Sequence, residues 1–553
     1  MITPFVVATL TRRGLLAPGP PVRVAAQLNA LRRWGFSLSG ELRQAAARDP
    51  ERVALVDEWR GEVTYGQLLG NAERLARALR GTTGIRSGDR VGLLCRNHAG
   101  MIEAMVAGTL IGADTVLINT GLSSAQLATV AEEQRLRILI HDAEFAEKVL
   151  SVPAAVERIT EERAAELVAD APPGELRPPE RDGRTIVLTS GTTGTPKGAR
   201  RRTPTGFGPL VSIIHRIPLH ARDRIMIAAP LFHTWGYAAL QVSFALRATV
   251  VLQRRFEPAG CVGLAAQHRV RALFAVPVMV QRLMEVAPPQ GWRDPSQGAK
   301  RRGRMAPATW GGQRAERAQQ AEPRPNPLRI VAVSGSALPG GLATRFMDAY
   351  GDVLYNLYGS TEVSWASIAT PRDLRAAPQT AGRPPHGTRL AILGPDGRPL
   401  PAGQVGRIFV GNEMLFEGYT SGAGKESHDG LIATGDLGHL DADGLVYVVG
   451  REDDMIISGG ENVFPSEVEN LLAELPQVRE VAVIGVPDPE YGQRLAAYLA
   501  LHRGETLDAD AVREYVRRYR ARYCIPRDVY FVPYLPRNAT GKVVVRDLRT
   551  GNS

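Results

Sequence analysis

Short apolar runs alternate with helix-like stretches along most of this chain from about residue 40 onward. Runs such as 91–94 and 330–333 have the length and composition of buried strands. Between such runs, leucine and alanine recur every three or four residues from Leu68 to Leu79, which predicts a helix that ends near Gly81. Strands separated by helices predict an α/β fold with several layers and largely parallel sheets. Further runs of this kind are 138–140, 185–188, 225–229, 249–252 and 272–276.

The last part of the chain has a different pattern. Strands rich in β-branched residues are predicted at 405–410 and 445–449, and a compact polar segment follows at 450–454. A new α+β pattern then begins with a helix from Pro465 to about Leu475, where Ser466 and Glu469 have the spacing of a capping box.

At 553 residues the chain exceeds one ordinary domain. We predict an N-terminal extension at 1–40, a large α/β domain with a β-rich subdomain at 41–450, and a small α+β domain at 451–553.

Residues 287–327 are rich in proline, glutamine, glycine and arginine and lack periodicity, which predicts a long exposed loop inserted in the large domain. Half of the formal net charge of +10 lies between residues 300 and 324. The basic residues there are Lys300, Arg301, Arg302, Arg304, Arg314, Arg317 and Arg324, against Glu316 and Glu322. Because only Trp310 could stack on a base, the charge indicates a solvated loop and no nucleic-acid partner.

The chain has three widely spaced cysteines, Cys95, Cys261 and Cys524, and no C-x-x-C pair. This count argues against a disulfide framework or a zinc site and favours a reducing compartment. No apolar run approaches the roughly 20 residues that span a bilayer. The apolar stretch at 5–10 has arginines after it and none before it, unlike a signal peptide. We therefore expect a cytoplasmic protein.

Segment 22–34 places apolar residues among arginines and predicts a basic amphipathic helix. Such a helix can lie on a membrane surface, which would give peripheral membrane contact. Packing against the body of the protein is the favoured interpretation.

A loop rich in glycine and hydroxyl groups, 189–198, follows the strand predicted at 185–188. Glycine lets backbone N–H groups approach an anion, and serine and threonine hydroxyls can donate to phosphate oxygens. Lys197 adds a positive charge. The loop is not a Walker P-loop, because Pro196 occupies the place of its second glycine.

Further segments carry groups suited to a nucleotide. Small residues at 334–338 follow a strand, where backbone could lie against a purine ring. The segment 356–362 offers the ring of Tyr358, the hydroxyl of Thr361 and the carboxylate of Glu362, and carboxylate oxygen suits a hard cation such as Mg²⁺. Asp436 lies in a Thr-Gly-Asp turn, and Lys542 lies close to the end of the chain.

In their order and spacing these segments resemble the adenylate-forming superfamily, which includes acyl-CoA synthetases, aryl-CoA ligases, firefly luciferase and peptide-synthetase adenylation domains. The resemblance covers about residues 45–550, and bacterial fatty-acyl-CoA synthetases are the most similar group. It implies an acid–thiol ligase: a fatty acid and ATP give an acyl-adenylate and pyrophosphate, and coenzyme A then takes the acyl group. ATP, Mg²⁺ and coenzyme A are the implied cofactor and cosubstrates, and the C-terminal domain is expected to be mobile.

The resemblance also implies a role for each matching residue. The catalytic set is Lys542, Glu362, His233 and Lys197, with Glu362 also the magnesium ligand. The ATP phosphates are bound by Thr189, Ser190, Gly191, Thr192, Thr193, Gly194 and Thr361, and adenine and ribose by Gly335, Ser336, Ala337, Tyr358, Gly359, Asp436 and Arg451. Asp453 is the hinge, and Ser458, Gly459 and Gly460 contact coenzyme A. The acyl pocket is formed by Trp235, Gly236, Val276 and Met279.

Three alternatives stay open at this point. The acyl acceptor could be a carrier-protein thiol, and the acid could be aromatic, as in aryl-CoA ligases. The third is a non-catalytic basic protein on a membrane. The presence of Lys197, Glu362, Asp436 and Lys542 together favours an enzyme whose partners are small-molecule substrates.

Overall fold

The computed structural model describes residues 3–189, 196–286, 326–458, 461–538 and 541–550. The loop predicted at 287–327 therefore lies outside the described residues, except for Asn326 and Pro327. The strands are β1 (Val53–Asp57), β2 (Gly61–Thr64), β3 (Arg90–Leu94), β4 (Asp114–Leu117), β5 (Ile138–His141), β6 (Glu157–Thr160), β7 (Thr185–Thr189), β8 (Lys197–Arg200), β9 (Arg224–Ile227), β10 (Thr249–Leu252), β11 (Ala272–Ala275), β12 (Ile330–Val333), β13 (Leu354–Tyr358), β14 (Ser367–Ala369), β15 (Arg389–Leu393), β16 (Gly406–Gly411), β17 (Ser427–His428), β18 (Leu431–Leu440), β19 (Val446–Arg451), β20 (Ile456–Ser458), β21 (Glu461–Val463), β22 (Val478–Asp488), β23 (Gly492–Leu501) and β24 (Asp528–Phe531).

The helices are spread along the whole chain. They are α1 (Pro4–Arg12), α2 (Pro21–Trp34), α3 (Leu38–Arg48), α4 (Tyr65–Gly81), α5 (Ala99–Leu110), α6 (Ser124–Glu133), α7 (Ala146–Val149), α8 (Glu161–Ala169), α9 (Gly208–Arg216), α10 (Thr234–Ala245), α11 (Pro258–Gln267), α12 (Pro277–Met284), α13 (Gly340–Tyr350), α14 (Pro371–Ala376), α15 (Pro465–Leu472), α16 (Ala509–Tyr519) and α17 (Val545–Thr550). None of the helices in the described ranges is both long and apolar enough to cross a membrane.

Two largely parallel sheets form the large N-terminal part. One has eight strands in the order β14-β13-β12-β11-β9-β10-β1-β2, and the other has six in the order β6-β5-β3-β4-β7-β8. Helices α3, α4, α5 and α10 contribute to the large apolar core that is shared with these sheets. Strands such as β4 and β11 are buried along their whole length, as expected for parallel strands covered by helices on both faces.

Two five-stranded sheets follow in the chain. Strands β15 to β19 form an antiparallel sheet, and β20 to β24 form the sheet of the small C-terminal part, which α15 and α16 cover. The predicted α/β class with a β-rich subdomain and a small α+β C-terminal domain is confirmed. The polar segment 450–454 connects β19 of the first sheet to β20 of the second.

Two local predictions have different outcomes. The basic segment 22–34 forms α2, which packs on α3: the guanidinium of Arg43 lies 3.8 Å from the Trp34 ring centre, and Gln27 donates to Gln44. The prediction of a capping box at the start of α15 was wrong, because no side chain caps this helix. The Ser466 hydroxyl donates to the carbonyl of Val449, and the Glu469 carboxylate accepts the N–H of Val483, so tertiary partners replace the local cap. The three cysteines are buried and unpaired.

Candidate active site

One cleft of about 2620 Å³ lies where the large part meets the small C-terminal part. The sequence-predicted residues that line it are Thr189, Lys197, His233, Trp235, Gly335, Ser336, Ala337, Tyr358, Gly359, Thr361, Glu362, Asp436, Arg451, Asp453 and Lys542. These residues come from distant points in the sequence. The fold therefore brings most of the predicted site together in one place.

Parallel pairing explains part of this convergence. Strands β12 and β13 are parallel neighbours, with Val333 opposite Asn356. Their carboxyl ends meet at one edge of the sheet, so the 334–338 and 358–362 segments both open into the cleft. At Gly359 a Cβ atom would lie 2.4 Å from the carbonyl oxygen of Ser364, so this close turn requires glycine.

His233 precedes α10 and caps it: Nδ1 accepts the N–H of Trp235 at 3.5 Å. The next residue, Thr234, places its hydroxyl 2.9 Å from that of Thr361. The side chain of His233 is half-buried, and the loss of water together with the charges of Lys542 and Arg201 lowers its pKa to about 4. The imidazole is therefore neutral at physiological pH.

The loop that carries His233 is held by Asn97, which the sequence analysis did not single out. The buried Asn97 amide donates to the carbonyl of Ala229 at 3.0 Å, and its oxygen accepts the N–H of Leu231 at 2.8 Å. An asparagine directly before a helix carries no signal that it reaches a loop so distant in the sequence.

Tyr358, Asp436 and Arg451 form one connected group. The Tyr358 hydroxyl donates to Asp436 Oδ2 at 2.5 Å, and an Arg451 guanidinium nitrogen lies 3.6 Å from Asp436 Oδ1. Antiparallel pairing places Asp436 directly opposite Arg451 on strands β18 and β19. Burial raises the pKa of Asp436, while the Tyr358 hydrogen bond and Arg451 oppose that effect.

Glu362 is held by Tyr419, a second residue that the sequence analysis missed. The Tyr419 hydroxyl donates to Glu362 Oε1 at 2.6 Å. The Lys197 ammonium lies 5.8 Å from the centre of the same tyrosine ring. Tyr419 thus connects the carboxylate expected to bind a cation with the lysine that follows the phosphate loop.

Replacing Tyr419 by phenylalanine is expected to raise the KM for magnesium–ATP by about tenfold. The reason is that a hydrogen bond to a charged group contributes about 1.5–3 kcal/mol, and Glu362 loses one that orients it. Steady-state kinetics at varied Mg²⁺ would check this. Tyr491→Phe, at an exposed tyrosine outside the cleft, is the control. An unchanged KM for magnesium–ATP in Tyr419→Phe would contradict the positioning role.

Lys542 closes a hydrogen-bonded turn with Asn538 in the small C-terminal part. The Asn538 N–H donates to the Lys542 carbonyl at 2.9 Å, and the Lys542 N–H donates to Asn538 Oδ1 at 3.0 Å. Arg537 fixes the base of the turn through Glu480, at 3.0 Å. Gly541 has a φ of +84°, and a Cβ there would lie 2.6 Å from the Val278 side chain. The turn is therefore seated directly against the large part.

The charges around Lys542 come from both parts of the molecule. Its side chain keeps access to water in the cleft, yet the surrounding protein lowers its pKa, and Arg451 lowers it further. Asp436 and Glu362 oppose this effect. This arrangement brings one ammonium group close to the two carboxylates that are expected to bind ribose and magnesium.

Some predicted residues are not in the cleft. Gly236 packs tightly on the preceding loop, where a Cβ would lie 2.1 Å from the Pro230 carbonyl oxygen. Val276 and Met279 belong to the apolar core rather than to the cleft wall, so Trp235 alone of the four predicted pocket residues lines it. Ser458 ends β20 away from the cleft. The residues 190–194, 459 and 460 lie outside the described part of the chain.

Two family models match the chain. The AMP-binding enzyme model matches residues 42–420, and the AMP-binding enzyme C-terminal domain model matches residues 467–542. The chain belongs to the AMP-binding enzyme family. This confirms the resemblance to adenylate-forming enzymes.

The chain is similar to several CoA ligases over nearly its whole length. It is 32% identical to the feruloyl-CoA synthase of an Amycolatopsis species, covering 88% of this chain and 93% of that one. It is also 32% identical to the 2-succinylbenzoate–CoA ligase of Geobacillus kaustophilus, over 92% and 96% of the two chains. These homologues are acid–thiol ligases.

A similar solved structure is the o-succinylbenzoate CoA synthetase of Bacillus subtilis in complex with its acyl-adenylate intermediate. It has a TM-score of 0.78 and 29% identity, and the match covers 92% of this chain and 97% of that one. The same enzyme in complex with ATP and a magnesium ion gives a TM-score of 0.76 at 29% identity, over 92% and 99% of the chains.

Proposed function

We propose that this protein is an AMP-forming ligase that joins an aromatic carboxylic acid to coenzyme A. The observation that carries the proposal is the convergence of Lys542, Asp436, Glu362 and His233 on one cleft. In the first step, an oxygen of the acid's carboxylate attacks the α-phosphorus of ATP, and pyrophosphate leaves. The product is an acyl-adenylate.

The proposed roles follow from the charges. Attack of a carboxylate on a phosphate brings two anions together, so positive groups at the reaction centre stabilise the transition state. Lys542 and Lys197 supply that charge, and Asp436 accepts hydrogen bonds from the ribose hydroxyls. Glu362 is the carboxylate that would hold a magnesium ion, which neutralises phosphate charge when bound.

The neutral imidazole of His233 can donate or accept one hydrogen bond near the acid's carboxylate without adding a charge. Its capping bond to Trp235 uses Nδ1 as the acceptor, which leaves Nε2–H as the donor. We assign His233 to orientation of the acid.

In the second step, the thiol of coenzyme A attacks the acyl carbonyl, and AMP leaves. We propose that residues 451–553 turn about Asp453 between the two steps, so that the Ser458 segment replaces Lys542 at the reaction centre. Ser458 lies outside the cleft, so its proposed role in thioester formation requires such a movement.

The choice of an aromatic over a fatty acid is supported by polar groups near helix α10, the part of the cleft that we take as its acyl end. Arg201, Gln241 and Glu41 all line it. Arg201 has two nitrogen atoms without a hydrogen-bond partner among the described residues, and a long alkyl chain would leave them unpaired, which is unfavourable. The named substrates of the relatives, feruloyl and 2-succinylbenzoyl groups, are also aromatic. The sequence-based expectation of a fatty acid has no comparable support.

The test is release of pyrophosphate and AMP by the purified protein with ATP, magnesium and a panel of acids, with and without coenzyme A. We expect aromatic acids to give AMP and a thioester, and saturated acids of six to sixteen carbons to give little product. The proposal would be contradicted if none of the aromatic acids in the panel led to formation of AMP. Product from palmitate alone would restore the fatty-acid hypothesis.

A further inference from the structure

Arg201 is a buried arginine in the wall of the cleft. It follows β8 directly, and its backbone N–H donates to the carbonyl of Thr185 at 3.0 Å. Only 6% of the residue is exposed, and it is one of the residues that line the cleft. No role in the proposed chemistry uses this side chain.

The guanidinium of Arg201 has few partners. One Nη2–H donates to the Ser364 hydroxyl at 3.5 Å, and the guanidinium carbon lies 5.8 Å from the centre of the Tyr237 ring. The Nε and Nη1 atoms have no hydrogen-bond partner among the described residues. No carboxylate within the described ranges forms an ion pair with it.

Two nearby arginines, in contrast, have a carboxylate partner. Arg184 lies 3.1 Å and Arg202 lies 4.0 Å from the carboxylate of Glu417. A guanidinium stays protonated in proteins, so Arg201 cannot remove its charge by losing a proton. A buried charge without a counter-ion is strongly unfavourable unless a ligand supplies the opposite charge.

Helix α10 provides a scale for the distance between Arg201 and the reaction centre. The residues Thr234, Ala238, Gln241 and Ala245 recur at helical spacing and line the cleft, which therefore runs along this helix. Thr234, at the start, touches Thr361 and marks the reaction centre. Arg201 lies over Tyr237 and shares a second, small cavity with Tyr237 and Gln241. At 1.5 Å per residue, these positions are about 5 to 10 Å further along the helix than Thr234.

We propose that Arg201 binds a second carboxylate on the acid substrate, about 5 to 10 Å from the carboxylate that is activated. The inference rests on the proposed function and narrows its substrate class to aromatic dicarboxylic acids. The nucleotide phosphates are expected near Thr361, which contacts the start of this helix at Thr234, so we do not assign them as the partner. The activated carboxylate is expected beside His233 and Lys542.

The test compares two acids that differ only in the distal group. The probes are 3-(4-carboxyphenyl)propanoic acid and 3-(4-methylphenyl)propanoic acid, and calorimetric titration gives the Kd of each for the wild-type protein and for Arg201→Met, Arg201→Lys and Arg202→Met. The last variant is the matched control, because Arg202 is the next residue and its side chain is half exposed and paired with Glu417.

We expect the wild-type protein to bind the dicarboxylic acid more tightly than the methyl analogue. Arg201→Met should weaken binding of the dicarboxylic acid by about tenfold to a hundredfold, the range for a hydrogen bond to a charged group, and leave the methyl analogue unchanged or better bound. Arg201→Lys should retain part of the preference, and Arg202→Met should match the wild type. The Tm of Arg201→Met should equal or exceed that of the wild type, because the variant removes an unpaired buried charge.

Several results would overturn the inference. These are failure of the wild type to bind the dicarboxylic acid, a wild-type preference for the methyl analogue, and equal loss of both acids in Arg201→Met. A lower Tm in Arg201→Met would indicate a structural role instead. If Arg201→Met does not fold, a preference in Arg201→Lys that is smaller than in the wild type supports the inference, and an unchanged preference overturns it. The proposed function fails separately, if no aromatic acid yields AMP.

Discussion

Replacing Lys542 by alanine is expected to slow acyl-adenylate formation by about a hundredfold or more, or about 3 kcal/mol in the barrier, by analogy with the loss of one oxyanion-stabilising donor. The reason is that the ammonium shares the cleft with Asp436 and Glu362, which both raise its pKa, and the α-phosphate and magnesium are expected there. The measurement is ATP–pyrophosphate exchange at saturating acid. Lys542→Arg, which keeps the charge, should retain more exchange than the alanine variant.

The control for Lys542→Ala is Arg503→Ala, which removes an exposed positive charge from the same C-terminal part, outside the cleft. It should exchange pyrophosphate at the wild-type rate. Thioester formation from a preformed acyl-adenylate should persist in Lys542→Ala, because that step does not need the ammonium. Loss of both steps to the same extent would show that Lys542 supports the fold of the small part instead.

Replacing Glu41 by glutamine is expected to make the protein more stable than the wild type at pH 8.5 and nearly equal to it at pH 4.5. Glu41 is 6% exposed at the inner end of the cleft, with one hydrogen bond from Gln44 at 3.2 Å. Burial raises its pKa from 4.5 to about 8. The folded state therefore holds a proton that the unfolded state has lost, and stability falls as the pH rises from 4.5 to 8.

The size of this effect is of the order of several kcal/mol at pH 8.5, because each pKa unit corresponds to about 1.4 kcal/mol. Urea unfolding of both proteins at several pH values is the measurement. His233 also makes stability depend on pH, because its lowered pKa makes stability rise with pH between about 4 and 6.5. This contribution is the same in both proteins, so the difference between their free energies of unfolding reports on Glu41 alone. Glu51→Gln, at an exposed glutamate, should show no such dependence. A constant difference between wild type and Glu41→Gln would contradict the buried, protonated carboxyl.

Sequence alone was informative wherever chemistry is concentrated in a short segment. The alternation of apolar runs and helices predicted the α/β class and the order of its elements. Tyr358, Thr361 and Glu362 stand within five residues of one another, so their local motif indicated a nucleotide site before any fold was known.

Contacts between distant segments were not predictable in this way. Tyr419 is 57 residues from Glu362, and Asn97 reaches a loop more than 130 residues away. The local sequence around Tyr419 and Asn97 does not indicate which distant residue each of them contacts. The capping box at α15 failed for a related reason, since Ser466 and Glu469 found tertiary partners that a local pattern does not contain.

The acyl pocket was the least predictable part. Gly236, Val276 and Met279 are apolar residues near the right strands, but their sequence does not say whether they face a cleft or the core. The polar wall residues Arg201, Gln241 and Glu41 carry no motif, and only the fold brings them to one surface.

Gly541 of the small C-terminal part lies against Val278 of the large part, so the candidate active site is formed by both parts together. The large part supplies Asp436, Glu362 and Lys197, and the small part supplies Lys542, so neither part alone has all four charged groups. On the roles proposed above, ATP bound to the large part alone would lack the Lys542 ammonium, and its consumption would depend on contact between the two parts. The proposed roles thus make the fit of Gly541 against Val278 a condition for adenylation.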